Sequence, residues 1–98
     1  MRKVPVVRVD WIDIQAHGSE WKDWSEVASM TTAKCMTVGF LVHDDEHQVK
    51  VVGSVVEGAQ VGDVTCIPKG CIVEMHKWED VGVDLPVTKR RRSKKAVA

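Results

Sequence analysis

A chain of 98 residues has room for one small domain, and no apolar run in it approaches the ~18 residues that a membrane-spanning helix needs. The 44 % apolar content suits a globular chain rather than a disordered one. The formal charge is zero, yet residues 89–95 (KRRRSKK) hold six of the fourteen basic side chains; residues 1–88 carry eight basic against fourteen acidic groups, net −6, which argues against a broad nucleic-acid groove on the body itself.

Tyr is absent and Phe occurs once, so the four tryptophans (Trp11, Trp21, Trp24 and Trp78) must supply most of the aromatic packing. The opening Met1-Arg2-Lys3 is followed by Val4-Pro5-Val6-Val7-Arg8, too short and too soon charged for a signal-peptide core. Three cysteines, an odd number without an export signal, are expected to be reduced thiols in a cytoplasmic protein.

In chain order, residues 6–14 (VVRVDWIDI) predict a strand, with Val7, Val9 and Trp11 on one buried face. Residues 17–28 (HGSEWKDWSEVA) change period: Trp21, Trp24 and Val27 or Ala28 recur at three or four, which predicts a short helix capped by Ser19. The alternative is a structured loop with two anchoring indoles. Residues 35–42 (CMTVGFLV) predict a central strand, with Gly39 marking a bulge or bend. Residues 43–47 (HDDEH) form a polar turn, and 48–55 (QVKVVGSV) return as the partner strand with a second bend at Gly53.

After a turn at 57–62, residues 63–67 (DVTCI) predict a short strand. Pro68-Lys69-Gly70 breaks it, because Pro68 cannot donate to a ladder and Gly70 permits a tight turn. Residues 71–77 (CIVEMHK) predict the last strand. After Asp80 the pattern fades, which divides the chain into a body at 1–80 and a basic tail at 81–98 that is expected to be disordered when free. Five short strands that curl at glycines predict a mainly β fold, a small, five-stranded, partly open barrel.

The tight turn at Pro68–Gly70 resembles the corner between the last two strands of Sm-like and Src-homology-type (SH3) small barrels. The wider array "VRVDWIDI…W.DW.EV…CMTVGFLVHDDEHQVKVVGSV…VTCIPKGCIVEM" resembles a family of small, uncharacterised bacteriophage proteins with a Trp-x-Asp start, a VGFL strand and an IP-x-G-x-I ending. That resemblance covers residues 6–76 and leaves out the basic tail. It implies a phage origin, and so the host-cell cytoplasm, together with a compact fold; it assigns no catalytic residue.

The chemistry-bearing clusters each have a plain structural alternative. Cys66 and Cys71 stand as C-x4-C, with Cys35 and His76 nearby in pattern, but the C-x2-C knuckle of a zinc site is absent and free cysteines pack as small core residues. His43-Asp44-Asp45-Glu46-His47 has metal-ligand chemistry, yet one short turn cannot surround an ion; it is a solvated turn or an acidic docking loop. Asp10 and Asp13 flank Trp11, but a barrel this small leaves little room for a substrate cleft. No P-loop, dinucleotide-binding, nucleophile-elbow or zincin motif is present, so no enzyme, cofactor or metal is expected.

Binding is the better expectation. Trp21 and Trp24 either close the barrel end or stand exposed as anchors, and Trp78 has the same two roles open. With the acidic turn Asp44, Asp45 and Glu46 they are the expected contact for a host or phage protein. Lys89, Arg90, Arg91, Arg92, Lys94 and Lys95 would draw DNA or RNA to the tail by counterion release. The expected function is that of a phage-type accessory protein, a non-enzymatic module acting by occupancy. The alternatives are a nucleic-acid-binding protein led by the tail and a small-ligand (nucleotide) sponge with its pocket at a subunit boundary. No membrane partner is expected, and exposed strand edges make a homo-oligomer possible.

Overall fold

The computed structural model describes residues 2–18, 20–57 and 60–85. Five strands form one antiparallel sheet: β1 (Arg2–Asp13), β2 (Ala33–Asp44), β3 (Gln48–Val56), β4 (Gln60–Pro68) and β5 (Ile72–Leu85), in the order β4-β3-β2-β1-β5. The first four strands meander, and β5 returns to the free side of β1. β4 and β5 remain as the two edges, so the sheet curls into a small, partly open barrel and does not close.

The main core cluster lies on one side of the sheet. Val7 and Val9 alternate with polar residues on β1 and meet Leu41 of β2, Val49 and Val51 of β3 and Ile67 of β4. Trp11, Ile72 and Met75 pack against this cluster, and Trp11 Nε1 donates a hydrogen bond to Thr37 Oγ1 (2.9 Å), which satisfies the indole at the edge of the core. The buried face expected for β1 is therefore present, and β2 is the central strand.

Gly39 sits in register opposite Val7 rather than in a bulge; the irregularity in β2 falls between Leu41 and His43. A side chain at Gly39 would run into the backbone carbonyl of Val52. Val51 and Val52 are both buried in succession, which breaks the period-two alternation of β3 at this close approach.

Two boundaries differ from the sequence expectation for a shared reason. β1 begins at Arg2 instead of residue 6, and β5 continues past Asp80 to Leu85, because these two stretches pair with each other: Lys3 with Asp84, Val4 with Val83, Pro5 with Gly82. The register jumps between Pro5 and Val6, which leaves residues 79–81 as extra chain on β5 beside a proline that has no N–H to give. The body thus extends to Leu85 rather than ending at residue 80. The rest of the expected tail, including Pro86, lies outside the described residues.

The helix expected at 17–28 shrinks to one turn, α1 (Trp24–Val27), and the capping role of Ser19 lies outside the described residues. Asp23 N donates to Glu26 Oε1 (2.8 Å), a reciprocal device of helix starts. No residue of α1 is buried. A helix of this length has no packed face to offset its nucleation cost, so the turn does not propagate. No helix among the described residues is long and apolar enough to cross a membrane.

Candidate docking surface

The face of the sheet opposite the core cluster is built from three cross-strand rungs on β5, β1 and β2. The first is Trp78–Val6–Phe40, the second His76–Arg8–Val38, the third Glu74–Asp10–Met36. Pleating puts each set of three side by side, with directly opposed Cβ atoms roughly 4.5–5.5 Å apart. Val38 is 57 % exposed, Met36 61 % and Trp78 45 %. These apolar groups form an L around an ionic square.

The square is internally satisfied. Arg8 Nε and Nη2 donate to Asp10 Oδ1 and Oδ2 at 3.0 and 3.1 Å, a fork between residues two apart on the same strand face. That guanidinium holds the Asp10 carboxyl below its ordinary range. On β5, next to β1, His76 Nε2 lies 3.3 Å from Glu74 Oε2 of the same strand. Asp10, Glu74 and His76 each bring one ligand atom within 4.8 Å of the others, the grouping with metal-ligand chemistry among the described residues. The Arg8 charge already occupies both Asp10 oxygens and opposes a cation there. Neither Cys66 nor Cys71 belongs to that group; Cys66 is exposed on β4, and Cys71 is half-buried as the last residue of the 3-10 turn Lys69–Cys71.

Below the third rung the face opens into a groove of about 420 Å³, lined by Asp10, Trp11, Ile12, Lys34, Met36 and Val73. It lies where β1 and β2 hand over to the connection between them, since Asp13 and Ala33 are the last paired residues of that hairpin. The connection, here the arm, projects Trp21 at 98 % exposure and Trp24 at 91 %. Closure of the barrel end by these two indoles is therefore not what the structure shows, and neither is a loop that anchors itself through them. Trp78 is also exposed, at 45 %.

The acidic turn is organised by its own carboxylates. Asp45 Oδ1 accepts hydrogen bonds from His47 N (2.7 Å) and Gln48 N (2.9 Å), and Oδ2 lies 2.7 Å from His43 Nε2. The His43 contact, followed by the two amides, pushes the Asp45 carboxyl far below its ordinary value. Asp44 pairs with Lys69 (2.8 Å), and Lys69 N donates to the His47 carbonyl (2.8 Å). Asp45 thus holds its own turn, Asp44 ties that turn to the 3-10 turn through Lys69, and Glu46, the most exposed carboxylate of the three, lies beside His47 at 3.2 Å.

Sequence reasoning missed Val6, Phe40, Val38, Met36, Arg8 and His76 as a common surface. Alternation on each strand separately was the available signal; the register that joins them was not. The basic residues Lys89, Arg90, Arg91, Arg92, Lys94 and Lys95 lie outside the described residues. Comparison of the chain with protein-family models, curated proteins and solved structures finds no match.

Proposed function

We propose that the protein is a non-enzymatic binding module, a phage-type accessory protein that acts by occupying the surface of a host or phage protein. The observation that carries this reading is the upper part of the outer sheet face, where Trp78, Val38 and half-buried Val6 and Phe40 lie together beside the fork of Arg8 and Asp10. Three strands hold these groups rigid, so a partner meets them with little ordering cost. A central aromatic with apolar neighbours and a polar border is the composition of an interface centre. The net −6 of residues 1–88 favours a partner with a basic surface.

The test is native mass spectrometry of the protein purified gently from cells, as the full chain, as a chain ending at Thr88, and with Trp78→Ala or Val38→Glu. The expected result is a protein adduct that survives removal of residues 89–98 and disappears in both surface variants. An adduct indifferent to both variants would overturn the reading.

A second reading rests on the run Lys89–Lys95, six cations in seven residues, which suits non-specific contact with DNA or RNA. It is favoured if the adduct is nucleic acid and is lost with the tail.

A further inference from the structure

The arm and the groove at its root are two unsatisfied surfaces on one chain. Trp21 and Trp24 stand almost fully in solvent, Ile14 and Val27 are exposed on the same connection, and nothing in the one-turn helix is buried. Single exposed apolar residues are ordinary; two whole indoles on one projecting segment are not. The groove at the root of the arm is lined by apolar Trp11, Ile12, Met36 and Val73, with Lys34 and the Arg8–Asp10 pair among its polar residues. Lys34 enters no ion pair among the described residues, whereas the arm carries Glu20, Asp23 and Glu26 against one Lys22. The two surfaces are complementary in polarity and in charge.

We propose that the groove of each chain receives the arm of a second copy, in a reciprocal two-fold exchange. Every copy carries both donor and acceptor, so one symmetric contact satisfies both at once and closes the assembly as a dimer. Each indole buries ~150–250 Å², so the four indoles of a pair take on the order of 600–1,000 Å² of apolar surface out of water. The contact lies at the end of the sheet face below the third rung, so it leaves the Trp78–Val6–Phe40 rung open to another partner.

The experiment uses the purified full chain alone, which separates it from the test of the partner surface. Light scattering on a sizing column is expected to give twice the chain mass for the parent, and one chain mass for both Trp21→Ala/Trp24→Ala and Met36→Glu. All three substituted side chains are exposed, and circular dichroism checks that the sheet is intact. Independently, benzoylphenylalanine at position 24, in a mixture of ¹⁴N and ¹⁵N chains, is expected to photo-cross-link to residues 34–36 or 73 in peptides of mixed isotope. A parent that stays monomeric, a dimer that survives both variants, or cross-links confined to one isotope would each overturn the exchange.

Discussion

Lys69 reaches from the 3-10 turn to Asp44 at the end of β2, with 2.8 Å between ammonium and carboxylate, while its own amide donates to the His47 carbonyl at 2.8 Å. The pair binds the corner between β4 and β5 to the turn between β2 and β3. Both side chains are about a third exposed, so the ion pair itself contributes only ~0.2–1 kcal/mol, and salt weakens it. In a double-mutant cycle of Lys69→Met and Asp44→Asn followed by urea unfolding, a coupling of that size is expected, and it should shrink at high salt. A coupling of zero at low salt would mean that the backbone bond to His47 alone holds the corner.

Asp45 makes stability depend on acid. Its carboxyl is held below the ordinary 3.8 by His43 first and then by the Gln48 and His47 amides. The unfolded chain therefore takes up this proton more readily than the folded one, so the stabilisation is complete above the ordinary value and is lost as pH falls through 3.8 toward the lower folded value. Urea midpoints measured across this range should fall more steeply for the parent than for Asp45→Asn. The variant should be the less stable of the two at neutral pH, with the gap narrowing on acidification. Parallel curves would remove Asp45 from the account.

Gly39 is required by a close approach, not by an unusual dihedral angle. A methyl group there meets the Val52 carbonyl, which is backbone and cannot swing aside. Gly39→Ala should lower stability by ~1–3 kcal/mol, as overpacking does, with an unchanged dependence on urea. Gly82→Ala tests the same principle at the paired ends of β1 and β5, where the obstacle is the Val4 carbonyl. If both variants unfold at the parental midpoint, the two approaches are looser than described.

The β2–β3 hairpin was legible because its signals are local: a polar HDDEH turn between two β-branched runs, observed as Ala33–Asp44 and Gln48–Val56. The break at Pro68–Gly70 was legible for the same reason. What sequence alone could not deliver depends on partners far along the chain. The N-terminal half of β1 holds a proline and two cations, and the C-terminal half of β5 holds Gly82 and three acids; each reads poorly as a strand until paired with the other. The outer face is a harder case. Arg8, Val38 and His76 become neighbours only through two registers joining segments some thirty and seventy residues apart. The tryptophan stripe at 21 and 24 was visible in the sequence as a helical pattern, but the pattern does not say whether anything packs against it.

Cys66 and Ile67 are adjacent on β4 and face opposite ways: the thiol is exposed and the isoleucine fully buried. Their substitution tests whether the C-x4-C spacing means more than strand alternation. Ile67 is fully buried in the core cluster opposite Val49, so Ile67→Ala should cost ~2–5 kcal/mol through lost burial and the cavity left behind. Cys66→Ser exchanges a solvent-facing sulfur for oxygen and should change stability by less than about 0.5 kcal/mol. Urea unfolding of both variants measures the contrast. A large loss at Cys66 would show that the thiol does something besides face the solvent, and would reopen a ligand or redox role for the pair Cys66 and Cys71.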